Sequence, residues 1–318
     1  MPRPIGAVLL IAFGGPEKPE DIRPFLRNVT RGRPIPAARL EEVAHHYERI
    51  GGRSPFNELT FRQAEALRAR LRADGLGLPV YVGMRNWTPY LHETLAAMGA
   101  EGVQQALGVI LSAHQTEASW DRYQANVAEA RARVSAGAPV VEYAPPWFDR
   151  PGFIEAMADR VREALEGIPA AARADAPVVF TAHSVPVGMA DGSPYVGQIT
   201  ASSRLVAERL GAAGPIRWSV AYQSRSGRPD EPWLEPDVGS EIRRLAAAGV
   251  CHVVVAPIGF VCDHVEVLYD LDVEARATAA ACGVGFRRAA TVGDHPAFIG
   301  MLAGVVRETV SGTGPTRP

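Results

Sequence analysis

Two side chains able to exchange protons near neutral pH stand at conspicuous places in this 318-residue chain. His183 closes the apolar run Val178-Val-Phe-Thr-Ala-His183, and Glu266 lies in Gly259-Phe-Val-Cys-Asp-His-Val-Glu266. A neutral imidazole can take a proton or bind a metal through a ring nitrogen, and a carboxylate can do either. Glu266, Asp270 and Glu274 are spaced i, i+4, i+8, so a helix would set them in one row, with Asp272 to the side. Like charges so placed repel by ~0.2–0.5 kcal/mol per pair unless a cation or protons compensate, which makes the row a candidate ion path. A structural reading stands beside it: Asp263-x-x-Glu266 matches a capping box, and acidic groups in a first turn complement the helix dipole. A lone histidine after a strand can equally be a hydrogen-bonded structural residue, for His183 and for His114 alike. Ser184 cannot form a nucleophile–base pair with His183, because chain neighbours point apart.

Short runs rich in Val and Ile alternate with helical patterns, the signature of βα units around a mainly parallel sheet. Strands are expected near 7–12, 79–83, 107–112, 139–143, 177–182, 216–222, 252–257 and 284–288. They divide about residue 150, giving an N-terminal Rossmann-like lobe over 1–150 and a C-terminal one over 151–318, facing a central cleft. Val109-Ile-Leu-Ser-Ala-His114 echoes Val178-Val-Phe-Thr-Ala-His183 across that division. Helical stripes are expected at Leu40, Val43, Ala44, Tyr47 and Ile50, stopped by Gly51-Gly52; at Tyr123, Val127, Ala130 and Val134; and at Ile154, Met157, Val161 and Leu165. Ligands of open α/β sheets bind beyond the carboxyl ends of strands. There the chain places Phe13-Gly14-Gly15, Arg85-Asn86-Trp87, Ser112-Ala-His114, Tyr143-Ala-Pro-Pro-Trp147, His183-Ser184 and Tyr222-Gln223-Ser224. Aromatics mixed with a few His, Arg and Glu suit a large, flat, partly polar ligand.

With 33 Lys and Arg against 35 Asp and Glu, neither disorder nor a general nucleic-acid footprint is expected. No run is long enough to cross a bilayer. Gly6 to Phe13 imitates a short signal peptide but reads as a buried first strand. Three cysteines without C-x-x-C spacing argue against a zinc finger and a disulfide framework, and a cytoplasmic location is expected. Gly14-Gly15 lacks the spacing of a dinucleotide cradle.

The chain resembles the ferrochelatase family. The matching pieces are Ala12-Phe-Gly-Gly-Pro16, Tyr47-Glu-Arg-Ile-Gly-Gly-Arg-Ser-Pro55, Thr181-Ala-His-Ser-Val-Pro186, Tyr222-Gln-Ser-Arg through Pro232-Trp-Leu-Glu-Pro-Asp237, and Pro257-Ile-Gly-Phe-Val-Cys-Asp-His-Val-Glu-Val-Leu-Tyr-Asp-Leu-Asp272. They occur in family order over nearly the whole chain. The resemblance implies the two-lobed chelatase fold and insertion of Fe²⁺ into a porphyrin with release of two protons, in heme biosynthesis. It implies His183 and Glu266 as the pair on either side of the ring centre, facing each other over a gap wide enough for the tetrapyrrole disc. Asp270 and Glu274 follow as a trail for metal or protons.

By the same resemblance Tyr47, Ser54 and Tyr123 touch the porphyrin, with Phe13 beside them. His46 and Thr30 replace arginines used by some relatives, leaving Arg31 and Arg33 as candidates for propionate contacts. Phe13 stands where one bacterial group has a tyrosine that ligates product iron, and phenylalanine has no oxygen to do so. Membrane-bound relatives carry an apolar lip before the Tyr-x-x-Ile-Gly-Gly motif; here that stretch, residues 31–42, is polar. A basic, exposed entrance favours the four-carboxylate coproporphyrin III over protoporphyrin IX. Fe²⁺ is a substrate, no permanently bound cofactor is expected, and three cysteines cannot hold a [2Fe–2S] cluster that some relatives bind through four. Expected partners are the porphyrin, the iron and a heme-accepting downstream enzyme, with no nucleic acid. The alternatives are a cobalt or nickel tetrapyrrole chelatase, in which His114 would join His183 in place of Glu266, and a tetrapyrrole or metal carrier without turnover.

Overall fold

A computed structural model describes residues 4–32, 35–134, 137–211, 214–228 and 230–312. The first sheet holds β1 (Ala7–Ala12), β2 (Val80–Met84), β3 (Gln105–Ile110) and β4 (Val140–Tyr143) in the order β2-β1-β3-β4, all parallel. The second holds β5 (Val178–His183), β6 (Trp218–Gln223), β7 (His252–Ala256) and β8 (Gly285–Arg288) in the order β6-β5-β7-β8, again all parallel. Each expected strand is present, the first with the expected bounds and the others with ends within two residues of them. Parallel strands joined by crossover helices are covered on both faces, so the unbroken apolar run Ala-Val-Leu-Leu-Ile-Ala of β1 is buried at every position.

The two sheets repeat one strand order, so β1 corresponds to β5 and β3 to β7. The echo between residues 109–114 and 178–183 therefore joins non-equivalent strands and does not mark the repeat. The repeat lies in the topology, where the order reverses between the first and third strand of each half.

One compact unit comprises Met1–Ser112, Glu117–Pro146 and Asp294–Pro318, and the other Ala113–Thr116 and Trp147–Gly293. A single division at residue 150 would assign 294–318 to the second half. The helix Pro296–Val310 instead packs on the helix Phe56–Ala73 of the first unit. Its Phe298, Leu302 and Val306 are fully buried, and Arg62–Asp294 and Arg307–Asp74 ion pairs hold its ends at 2.8 and 3.3 Å.

In the first unit Ala7, Leu9 and Ile11 pack with Leu91, Leu95 and Met98, and with Tyr123, Val127 and Ala130 of the helix Arg122–Val134. In the second, Val179, Val253 and Val255 pack with Ile242 and Leu245, and with Val267, Leu271 and Ala279 of the segment that follows β7. The helix Ala37–Arg49 buries Ala44 and Tyr47 and ends where Gly51 and Gly52 take φ of +101° and +76°; Gly52 N–H bonds the Tyr47 carbonyl at 2.8 Å. Among the described residues no helix is long and apolar enough to cross a membrane.

Candidate active site

His183 is the last residue of β5, and Glu266 lies on the connection that leaves β7. These strands are neighbours at the point where the second sheet reverses its order, the place where open α/β sheets bind ligands. Both residues belong to the second unit, and His183 Nε2 lies 3.7 Å from Glu266 Oε1. Their side chains are 31% and 33% exposed, so solutes reach both. The expectation of a gap admitting a tetrapyrrole disc is corrected here. A flat ring needs about 3.5–4 Å on each face, so none fits between two side-chain atoms 3.7 Å apart.

His183 Nδ1 meets the carbonyl oxygen of Ser184, which can only accept, so Nδ1 carries a hydrogen and Nε2 is the ring nitrogen turned toward Glu266. Tyr195 OH donates to the His183 backbone carbonyl at 2.9 Å, and Ser184 N–H to the Gln223 carbonyl at 2.7 Å. Ser184 Oγ donates to the Leu234 carbonyl and so has a structural role.

Glu266 is placed by two contacts that sequence spacing did not reveal. Its N–H donates to His264 Nδ1 at 3.2 Å, so His264 caps the four-residue helix Val265–Leu268. Its carbonyl accepts from the side-chain amide of Gln223, a buried residue at the end of β6. Asp263 is therefore not the cap. Its carboxylate is engaged instead by Arg288, at 3.0 and 3.3 Å, and by Thr291. Burial pushes the His264 imidazole below its ordinary pKa, against the opposing pull of Glu266 and Asp263.

The acidic row is not one continuous α-helix. After Tyr269 the backbone forms a π-helix over Asp270–Ala275, in which Glu274 N–H reaches back five residues to the Tyr269 carbonyl. Asp270 accepts from Ser224 Oγ, Glu274 is exposed, and Asp272 is held by Arg288 and Arg276. Among the described residues no three His, Cys, Asp or Glu side chains converge to hold a metal ion. His183, Glu266, Asp270 and Glu274 thus do not assemble as one ligand set.

His114 is buried in the second unit against Tyr195 and bonded to Ser202 Oγ at 3.1 Å. Loss of hydration pulls its pKa down to about 3. With only 1% of its surface exposed it is no candidate to stand beside His183 as a metal ligand.

The remaining candidates lie in the first unit. Phe25 contacts Phe13, Tyr47 and Trp87 edge to face, at 6.1–6.2 Å between ring centres. Arg85 lies over the Tyr123 ring at 4.3 Å and near Phe13 at 5.6 Å, with Nε bonded to Asn126. Tyr47, Ser54 and Tyr123 are largely buried, whereas Arg31 is exposed and bonded to Asn28. His46 is half-buried, and burial lowers its pKa. Arg33 lies outside the described residues. The polar stretch before Tyr47 is less basic than its arginines suggest, because Arg39 pairs with Glu42 and Glu41 with Arg23.

A ferrochelatase family model matches residues 6–310. A ferrochelatase of Rhodopirellula baltica is 45% identical over 96% of this chain and 86% of its own. Coproporphyrin III ferrochelatases of Frankia alni and Nocardia farcinica are 46% and 45% identical, over 96% and 98% of this chain and 80% and 90% of theirs. Among solved structures, the sirohydrochlorin chelatase SirB of Bacillus subtilis superposes with a TM-score of 0.55 at 14% identity, covering 96% of this chain and 95% of that one. At that identity the likeness speaks to fold alone.

Proposed function

Since the chain belongs to the ferrochelatase family, we propose that it inserts ferrous iron into coproporphyrin III in heme biosynthesis, with His183 and Glu266 as the reacting side chains. The observation that carries the site is the pair itself: an imidazole nitrogen and a carboxylate oxygen 3.7 Å apart at the switch point of the second sheet. Insertion must remove two pyrrole N–H protons and strip water from the iron. In this reading His183 Nε2 accepts the two pyrrole protons in turn, and Glu266 beside it balances the imidazolium and passes each proton to solvent before the next is taken. Ligands about 2.0–2.2 Å from a metal stand roughly 3–3.5 Å apart, so the same two atoms are also close to the spacing of a ligand pair for incoming iron. Two donors cannot complete the coordination shell of iron, which keeps the ion transferable to the four ring nitrogens. Both groups address the same face of the ring, so proton and metal use the site in succession.

Coproporphyrin III is favoured by the names of the relatives, by exposed Arg31 and by the polar stretch before Tyr47. The proposal includes no resident cofactor, a cytoplasmic location and a heme-accepting enzyme downstream. The test is anaerobic mixing of the protein with Fe²⁺ and either coproporphyrin III or protoporphyrin IX. Catalytic accumulation of the iron complex, faster with coproporphyrin III, is expected. A porphyrin shift that stops at one equivalent of protein would mean a carrier, and equal or reversed rates would remove the substrate preference.

A further inference from the structure

We propose that Arg288 is a positioning residue for iron insertion, setting where Glu266 stands relative to His183 by clamping both ends of the segment that carries Glu266. The inference rests on the reading of His183 and Glu266 as the reacting pair.

The segment cannot hold itself in place. Its α-helix, Val265–Leu268, has four residues and passes through Tyr269 into the π-helix Asp270–Ala275, and helices this short have little stability of their own. Arg288 supplies what the backbone lacks. Its Nε lies 3.0 and 2.9 Å from the two oxygens of Asp272, and its terminal nitrogens lie 3.3 and 3.0 Å from the two oxygens of Asp263. Asp263 precedes Glu266 by three residues and Asp272 follows it by six. One planar guanidinium thus fixes the start and the end of the stretch between them.

The clamp is rooted in the sheet. Arg288 is the last residue of β8, in register with Val255 of β7, and the next residue, Ala289, donates its N–H to the Val255 carbonyl at 2.9 Å. The chain leaving β7 is therefore tied back to the strand beside it. The Arg288 side chain is 13% exposed, so these ion pairs are largely shielded from the solvent that weakens surface pairs. A lysine would keep the charge but lose the planar fork whose separate nitrogens reach the two carboxylates in fixed geometry. The other cation on Asp272, Arg276, is half exposed and lies over the Phe286 ring of β8, 5.1 Å from its centre, one helical turn after the aspartate it pairs with.

The experiment compares wild type, Arg288→Lys, Asp272→Asn and Asp272→Glu in the full chain, with kcat, KM for each substrate and the thermal midpoint measured for Fe²⁺ insertion into coproporphyrin III. Misplacement of a reacting group by about 1 Å can cost 10²-fold in rate. Arg288→Lys is expected to lose about tenfold or more in kcat at a temperature where it remains folded, with KM for the porphyrin within about twofold of wild type. Asp272→Asn keeps the side-chain shape and should show a smaller loss in kcat, which Asp272→Glu largely restores. If Arg288→Lys does not fold, the two Asp272 variants decide. A kcat within twofold of wild type in the folded variants overturns the clamp. Absence of turnover in wild type would instead overturn the functional reading on which it rests.

Discussion

Gln223 donates its side-chain amide to the backbone carbonyl of Glu266, while its backbone carbonyl accepts the N–H of Ser184, the residue after His183. One buried glutamine at the end of β6 thus touches the supports of both members of the reacting pair. This explains how two residues more than eighty positions apart reach a defined separation without a direct hydrogen bond between them.

Replacing this glutamine should therefore weaken both fold and rate. Gln223→Leu fills nearly the same space but leaves the Glu266 carbonyl without its amide donor, a loss of roughly 1–3 kcal/mol for a buried group. Urea denaturation should show a lower midpoint with unchanged slope, and iron insertion should slow. Unchanged stability and rate would mean that the amide has no part in holding Glu266.

Tyr195→Phe removes a single buried O–H, which donates to the His183 carbonyl. The expected cost is about 1–3 kcal/mol in stability, because the phenyl ring still fills the site while the carbonyl loses its donor. His183 should remain functional but less well placed, so kcat should fall less than on removal of the imidazole. A variant as inactive as His183→Ala would show that the tyrosine has a role beyond support.

How much of this could be read from the chain alone follows from the range of each interaction. The eight strands were marked by local apolar runs, and His183 and Glu266 by residue type beside those runs and by family resemblance. Gln223, Arg288 and His264 escaped notice as supports because their partners become neighbours only after β5, β6, β7 and β8 align. The π-helix after Tyr269 likewise depends on an i to i−5 hydrogen bond that carboxylate spacing does not encode. The helix Pro296–Val310 was assigned to the second half by continuity of the chain, but Phe298, Leu302 and Val306 bury themselves in the first unit. The placing of His183 and Glu266 on either side of the ring centre came from the family resemblance, which carries residue identities but not the separation that adjacent β5 and β7 impose on them, 3.7 Å with no room for a disc between.

Acid should destabilise the protein partly through His114. Burial lowers its folded-state pKa to about 3, against 6.5 for a hydrated imidazole. The unfolded chain therefore binds a proton in this window that the folded chain does not. The contribution is fully present above about pH 6.5 and is lost as pH falls toward 3, by at most ~1.4 kcal/mol per pH unit. Thermal midpoints measured across that range should fall, and His114→Gln should flatten the fall while lowering the midpoint at neutral pH. An equal slope in the variant would assign the acid sensitivity to other groups.

Gly259 tests the crossing of the chain that leaves β7 over the end of β5. A Cβ there would stand 2.7 Å from Ala182 Cβ and 2.8 Å from Ala182 Cα. Gly259→Ala should therefore destabilise by about 1–3 kcal/mol, typical of overpacking, and displace the segment toward Glu266. A thermal scan showing no change would mean that the backbone gives way without cost.

The most direct measurement is single-turnover and steady-state insertion of Fe²⁺ into coproporphyrin III by wild type, His183→Ala and Glu266→Ala under anaerobic conditions. Wild type should turn over repeatedly, and each variant should lose about 10²-fold or more in kcat, as expected for removal of a positioned acid–base group, while still binding the porphyrin. Full activity in Glu266→Ala or His183→Ala would contradict the assignment of this pair as the site of insertion.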